Sequence, residues 1–132
     1  MKKIISLKLA GNILLIGYAL LAIFHVLVLT QIVPSDIVWG GQAAGSQTNM
    51  RTLETISLIV TFLFAIVVAA KIDYIKVSKY KKIINILLWI IFAYSLLNTV
   101  GNLASGVSVE NLIMAPVTII IAFLVLRLAL EK

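Results

Sequence analysis

The side chains that could do chemistry are few, and two of them lie in or beside long apolar stretches. The chain of 132 residues has one histidine, His25, and five acidic residues. His25 lies inside the first apolar run and Glu54 opens the second. Because an ionisable group inside a membrane is costly and commonly functional, both are candidates for binding a ligand or a proton. The alternative for His25 is a structural hydrogen bond, and the alternative for Glu54 is a favourable charge at a helix N-terminus.

Amide and aromatic side chains supply the other candidates. Asn98 and Asn102 are four residues apart, so they share one face of a helix, where they either line a cavity or bond neighbouring helices as packing contacts. In the loop after the first run, Trp39 is placed to cap such a cavity, and Asp36 is either part of the site or a solvated loop residue. The predicted ligand-binding residues are His25, Asp36, Trp39, Gln42, Glu54, Asn98 and Asn102.

No pattern in the chain is typical of an enzyme. The zinc-protease H-E-x-x-H, the nucleophile elbow G-x-S-x-G and the glycine-rich phosphate loops are all missing from the sequence. A metal site made of one histidine and one or two carboxylates would be sparse. Cysteine is absent, which excludes thiol chemistry. We therefore predict a protein that is not an enzyme and holds no metal or cofactor.

The elements that must position these residues are membrane helices. Hydrophobic residues make up 62% of the chain, against roughly 45–50% in soluble domains. Four apolar runs, at about 9–33, 53–70, 83–104 and 111–126, are continuous and close to the roughly 20 residues that a helix needs to cross a bilayer. We predict a single domain over residues 1–132, all-α, folded as a four-helix transmembrane bundle.

The basic residues predict the orientation of this bundle. Of the 11 Lys and Arg residues only Arg51 falls in a predicted outer loop. Because cytoplasmic loops are enriched in Lys and Arg, both chain ends are expected in the cytoplasm, in a bacterial cytoplasmic membrane. The net charge of +6 is then explained by contact with anionic lipid at the cytoplasmic side, and no nucleic acid is expected as a partner.

Small and polar residues at helical spacing indicate which faces point inward. The predicted inward faces change character along the bundle. Toward the outer side they carry His25, Glu54, Ser57, Asn98, Asn102 and Asn111, and toward the cytoplasm Gly11, Ala65, Ala69, Ala122 and Ala129. We therefore expect tight packing at the cytoplasmic end and a polar cup, covered by the first loop, at the outer end.

Three parts of the chain also resemble a known group of proteins. They are the loop motif at 34–42, PSDIVWGGQ, the acid Glu54 and the segment NTVGN at 98–102. In these the chain is similar to small, uncharacterised four-span bacterial membrane proteins over nearly its whole length. The resemblance implies a four-helix bacterial membrane fold and no particular activity.

The sequence leaves two functions open. The first is a non-enzymatic binding or accessory module whose outward cup holds a small polar molecule or a partner segment. The second is a small oligomeric or proton-coupled transporter of a small molecule, in which His25 and Glu54 would titrate. Because four thin helices bury little surface among themselves, a homo-oligomer or a larger membrane partner is expected in either case.

Overall fold

The computed structural model describes residues 4–41 and 47–131, and within these ranges every regular element is helical. The four long helices are α1 (Leu7–Leu29), α2 (Gln47–Lys71), α3 (Lys81–Ala104) and α4 (Ala115–Ala129). A π-helical turn, Glu110–Met114, leads directly into α4. Short 3-10 turns lie at Ser35–Ile37, Trp39–Gly41 and Ser78–Tyr80. The predicted all-α, four-helix fold is confirmed.

Four described segments are long and apolar enough to cross a membrane: Leu7–Leu29, Asn49–Lys71, Ser78–Ala104 and Glu110–Ala129. Large apolar side chains cover the outside of the bundle, and Leu97 is 72% exposed there. A surface of this kind is unstable in water and suits lipid. The fold therefore fits a multi-pass membrane protein.

The end of α1 and the start of α2 differ from the bounds that the apolar runs predict. α1 ends at Leu29 rather than Val33, because Gln31 adopts a left-handed φ of 61°, which a right-handed helix does not continue through. α2 begins at Gln47, before the first apolar residue of its run. Glu54 consequently lies about two turns inside α2 instead of in its first turn.

Packing divides the bundle into two helix pairs. α1 packs mainly on α2, and α3 packs mainly on α4. α1 also contacts α4, and α2 contacts α3 less extensively, whereas the diagonal pairs α1–α3 and α2–α4 contact each other least. One continuous apolar core joins all four helices through Leu14, Val68, Leu88 and Val125. We call the end of the bundle that carries the 35–41 segment and the α3–α4 turn the loop end, and the opposite end the lysine-rich end.

Two close contacts hold the lysine-rich end together, at Gly11 and at Arg127. A Cβ atom at Gly11 of α1 would lie only 2.4 Å from Cγ2 of Ile72, which is closer than van der Waals contact, so only glycine allows this approach. Arg127 is buried and is satisfied by the Ile5 carbonyl at 2.9 Å and by the Glu131 carboxylate at 3.0 Å. A second cavity, of about 590 Å³, also opens at this end between residues that include Lys71, Lys81 and Glu131, so the expected tight packing holds only around Gly11 and Arg127.

Candidate ligand-binding site

The four helices enclose a cavity of about 150 Å³ at the loop end of the bundle. Residues from all four helices line it, together with Val38 and Trp39 of the first loop. Among the lining residues are five of the predicted site residues: His25, Trp39, Glu54, Asn98 and Asn102. His25 and Asn102, which are 77 positions apart in the chain, therefore meet around one space.

Glu54 is the centre of the hydrogen bonding in this wall. Its side chain is 1% exposed. One oxygen, Oε2, lies 2.6 Å from Nδ1 of His25, and the other, Oε1, accepts the indole N–H of Trp39 at 2.7 Å. A buried carboxylate costs several kcal/mol unless it is paired and hydrogen-bonded. Glu54 thus binds α2 to α1 and to the first loop.

The loop segment at 35–41, which we call the cap loop, crosses the mouth of the cavity in an unusual backbone conformation. Three consecutive residues are left-handed, with φ of 55° at Trp39, 62° at Gly40 and 73° at Gly41. Two glycines adopt this conformation freely, but a bulky residue such as tryptophan is strained there by roughly 1–3 kcal/mol. The conformation persists because surrounding contacts hold it.

Two contacts besides the Trp39–Glu54 bond hold the cap loop. The Gly40 amide donates to Oε2 of Glu110 at 2.9 Å, which joins the loop to the start of the fourth membrane segment. Val38 is buried against Val28 of α1 and Met50 of α2. The loop is therefore fastened at both sides of the cavity, by carboxylates from two different helical segments.

Glu110 is a site residue that sequence reasoning missed. It lines the cavity and is buried, and the same Oε2 that accepts from Gly40 also accepts the Ser105 hydroxyl. The predicted inward face began instead at Asn111, whose amide donates to the Leu103 carbonyl at 2.9 Å and does not line the cavity. The available signal was an acid placed directly before an apolar run.

The π-helical turn explains why Glu110 rather than Asn111 points inward. The Ala115 amide donates to the Glu110 carbonyl, five residues back, which widens the turn. Pro116 contributes because it has no amide hydrogen to offer the Leu112 carbonyl in a regular α-helix. Turns of this kind are frequent at functional sites, and this one places both Glu110 and Met114 in the cavity wall.

Aromatic side chains form the inner part of the cavity, which we call the floor. The Phe64 ring meets the Tyr18 ring edge to face at 6.1 Å and the Tyr94 ring at 5.4 Å. Tyr18 is only 3% exposed, and within residues 4–41 and 47–131 its hydroxyl has no hydrogen-bond partner. Other buried hydroxyls nearby are satisfied, since Thr61 donates to the Ser57 carbonyl at 2.8 Å.

The amides and the other loop residues occupy different places. Asn98 and Asn102 both line the cavity on α3, and Asn98 is also exposed at the surface of the bundle. Asp36 is an exposed residue of the first 3-10 turn and is not part of the lining. Gln42 falls outside the described residues. Within those residues no three His, Asp or Glu side chains are grouped as ligands for a metal ion.

Comparisons with protein-family models, with curated proteins and with solved structures found no match for this chain. The resemblance to small four-span bacterial membrane proteins consequently stays a prediction.

Proposed function

We propose that the protein is a small-molecule binding module of a bacterial cytoplasmic membrane, with its cavity open toward the outside and no catalytic activity. The observation that carries the proposal is the fastening of the cap loop. Glu54 and Glu110, from two separate helical segments, hold Trp39 and Gly40 over a cavity lined by polar side chains. Such an arrangement suits a site that encloses its ligand.

The distribution of charge supports an outward-facing cavity. Lys71, Lys76, Lys79, Lys81 and Lys82 belong to the α2–α3 connection and its flanking helix ends, at the opposite end from the cap loop. Because such residues favour the cytoplasmic side, the cavity would open to the outer side. The free ligand would then be met outside the cell.

The size and the lining of the cavity favour ligand binding over simple packing. The cavity volume of about 150 Å³ is similar to that of an engineered cavity known to hold one benzene molecule. Membrane helices that use Asn and Ser only as packing contacts bond these side chains to each other across the interface. Here Ser57, Asn98 and Asn102 face a common open space.

Native mass spectrometry of the protein, extracted in a mild detergent, tests this function. We expect a reproducible additional mass on the wild-type protein that disappears in the Glu54→Gln variant. The matched control is Asp36→Asn, which makes the same chemical change in an exposed carboxylate off the cavity and should keep the additional mass. A bare wild-type species would refute ligand binding and favour a structural module. The same spectrum reports the expected homo-oligomer.

The second candidate, a proton-coupled transporter, is favoured by one observation. His25 and Glu54 form a direct 2.6 Å contact within the membrane-spanning helices, where titratable pairs often serve as proton relays. Transport predicts that His25→Gln still binds the ligand found by mass spectrometry but no longer moves it into proteoliposomes. Wild-type protein that binds this ligand and does not move it would exclude transport.

A further inference from the structure

We infer that the cavity selects small organic cations, each an ammonium group carried on an apolar body about the size of one ring. The inference rests on the proposed function, because it names the class of ligand for the same cavity. Three properties of the lining support it: its charge, its aromatic floor and the hydroxyl of Tyr18.

The lining carries more negative than positive charge. Among the described residues that line the cavity, the ionisable acids and bases are His25, Glu54 and Glu110, with no Lys or Arg. Glu54 pairs directly with His25. Among the residues that the structure describes, Glu110 accepts from two neutral donors only, the Gly40 amide and the Ser105 hydroxyl. One carboxylate therefore lacks a cationic partner in the wall, and in a poorly solvated space it attracts a cation and repels an anion.

The floor suits the apolar part of such a ligand. The rings of Tyr18, Phe64 and Tyr94 meet edge to face, and Phe24 and Trp39 line the wall toward the mouth. Aromatic faces attract ammonium groups through their quadrupole and accommodate hydrocarbon as well. The cavity thus combines aromatic surfaces with a single uncompensated acid. A bare metal ion would find no group of carboxylates here, whereas an organic cation would find both kinds of surface.

The Tyr18 hydroxyl is independent support for an occupant. A buried hydroxyl normally has a hydrogen-bond partner, and the other buried hydroxyls of the lining do. Ser95 donates to the Ile91 carbonyl at 2.8 Å, and the Thr99 and Thr118 oxygens lie 2.9 Å apart. Among the buried side-chain polar atoms of the described residues, only the Tyr18 hydroxyl, at the floor of the cavity, lacks a partner. Because this oxygen has almost no accessible surface, a polar group of a bound molecule would satisfy it only after neighbouring side chains of the floor shift.

Charge selection can be measured with thiol reagents, because the chain has no cysteine of its own. Ser57→Cys places a thiol in the lining, and Thr30→Cys places one at an exposed position at the same end. The full-length protein in detergent is treated with trimethylammonium-ethyl or sulfonato-ethyl methanethiosulfonate, which have the same linker and opposite charges. Each rate at position 57 is divided by the rate of the same reagent at position 30.

We expect the normalised rate of the cationic reagent to exceed that of the anionic reagent by about tenfold or more, since one charge attracts the first and repels the second. Adding Glu110→Gln to Ser57→Cys should bring the two rates close together, whereas adding Asp36→Asn should leave the ratio unchanged. Unaltered reactivity at position 30 and an unaltered helical spectrum show that the Glu110→Gln protein is folded. If the Glu110→Gln protein does not fold, the cation preference is tested instead by how well benzylamine protects Ser57→Cys from labelling.

Benzylamine and benzyl alcohol have the same ring and differ in charge. Benzylamine should slow labelling of Ser57→Cys at a concentration about tenfold lower than benzyl alcohol does, by the same electrostatic difference. Equal protection by both, or faster labelling by the anionic reagent, overturns the cation preference and leaves an accessible cavity standing. If neither reagent labels Ser57→Cys while Thr30→Cys reacts, the cavity is closed, and both this inference and the proposed function fail.

Discussion

Replacing Trp39 by phenylalanine should release the cap loop without unfolding the bundle. The substitution keeps an aromatic ring but removes the indole N–H that donates to Glu54 at 2.7 Å. The left-handed strain at position 39 (φ of 55°) remains, and one of the contacts that offsets it is lost. The change therefore acts on the equilibrium between the closed and the open loop.

The size of the effect follows from the type of hydrogen bond. A bond to a charged group contributes about 1.5–3 kcal/mol, and each 1.4 kcal/mol is a factor of ten in an equilibrium constant. The open state of the loop should become about 10 to 150 times more populated. Because the Gly40 amide bonds to Glu110 only in the closed loop, its hydrogen exchange reports this population directly.

Hydrogen exchange followed by mass spectrometry measures the effect in peptides that cover the cap loop. The matched control is Trp89→Phe, since Trp89 is the second tryptophan, lies on α3 and is exposed. This control should leave loop exchange unchanged. An increase of less than about threefold at Gly40 in Trp39→Phe would refute the view that the indole bond holds the loop. An equal increase in core peptides around Val68 and Leu88 would show that the effect is global.

Two further predictions concern packing and the floor of the cavity. Gly11→Ala should destabilise the protein by about 1–3 kcal/mol, because the added Cβ would overlap the Ile72 side chain. Gly17→Ala should stabilise it by up to about 1 kcal/mol, because nothing lies within 4 Å of the added Cβ. Thermal unfolding in detergent measures both changes, and unfolding temperatures that shift in the same direction would contradict the reasoning. Tyr18→Phe removes a buried hydroxyl without a described partner, so the unfolding temperature should stay the same or rise, and a clear fall would mean that the hydroxyl is bonded. Tyramine differs from phenethylamine by one hydroxyl, so any preference of the cavity for tyramine should disappear in the same variant. The concentration at which each amine slows the labelling of Ser57→Cys measures this preference.

The course of the helices was largely predictable, and their ends were less so. Hydropathy located all four spans, because a lipid-facing helix needs a continuous apolar run regardless of its neighbours. The start of α2 at Gln47 was not predictable in this way, since polar residues before Leu53 continue the helix without changing the apolar pattern. That extension places Glu54 about two turns inside the helix rather than in its first turn.

The candidate site was predictable where it depends on helix faces. His25, Glu54, Asn98 and Asn102 share the cavity, as expected from spacing on amphipathic helices, and Trp39 covers it. Whether these residues bind a ligand stays a prediction. Asp36 shares the loop motif with Trp39 but lies on the exposed side of its turn, because the local backbone, and not membership of a motif, decides the direction of a loop side chain.

The amino-acid sequence by itself determined the class of this protein: four apolar helices, with the basic residues concentrated at one end of the bundle. The reason is that the burial of a helix in lipid depends on the composition and the periodicity of its own residues. Only the tertiary structure decided the partners of the two buried acids. The Gly40–Glu110 bond joins residues 70 positions apart and depends on three left-handed residues and a π-helical turn. Neither conformation follows from a local pattern, because each is held in place by contacts that exist only once the helices have packed.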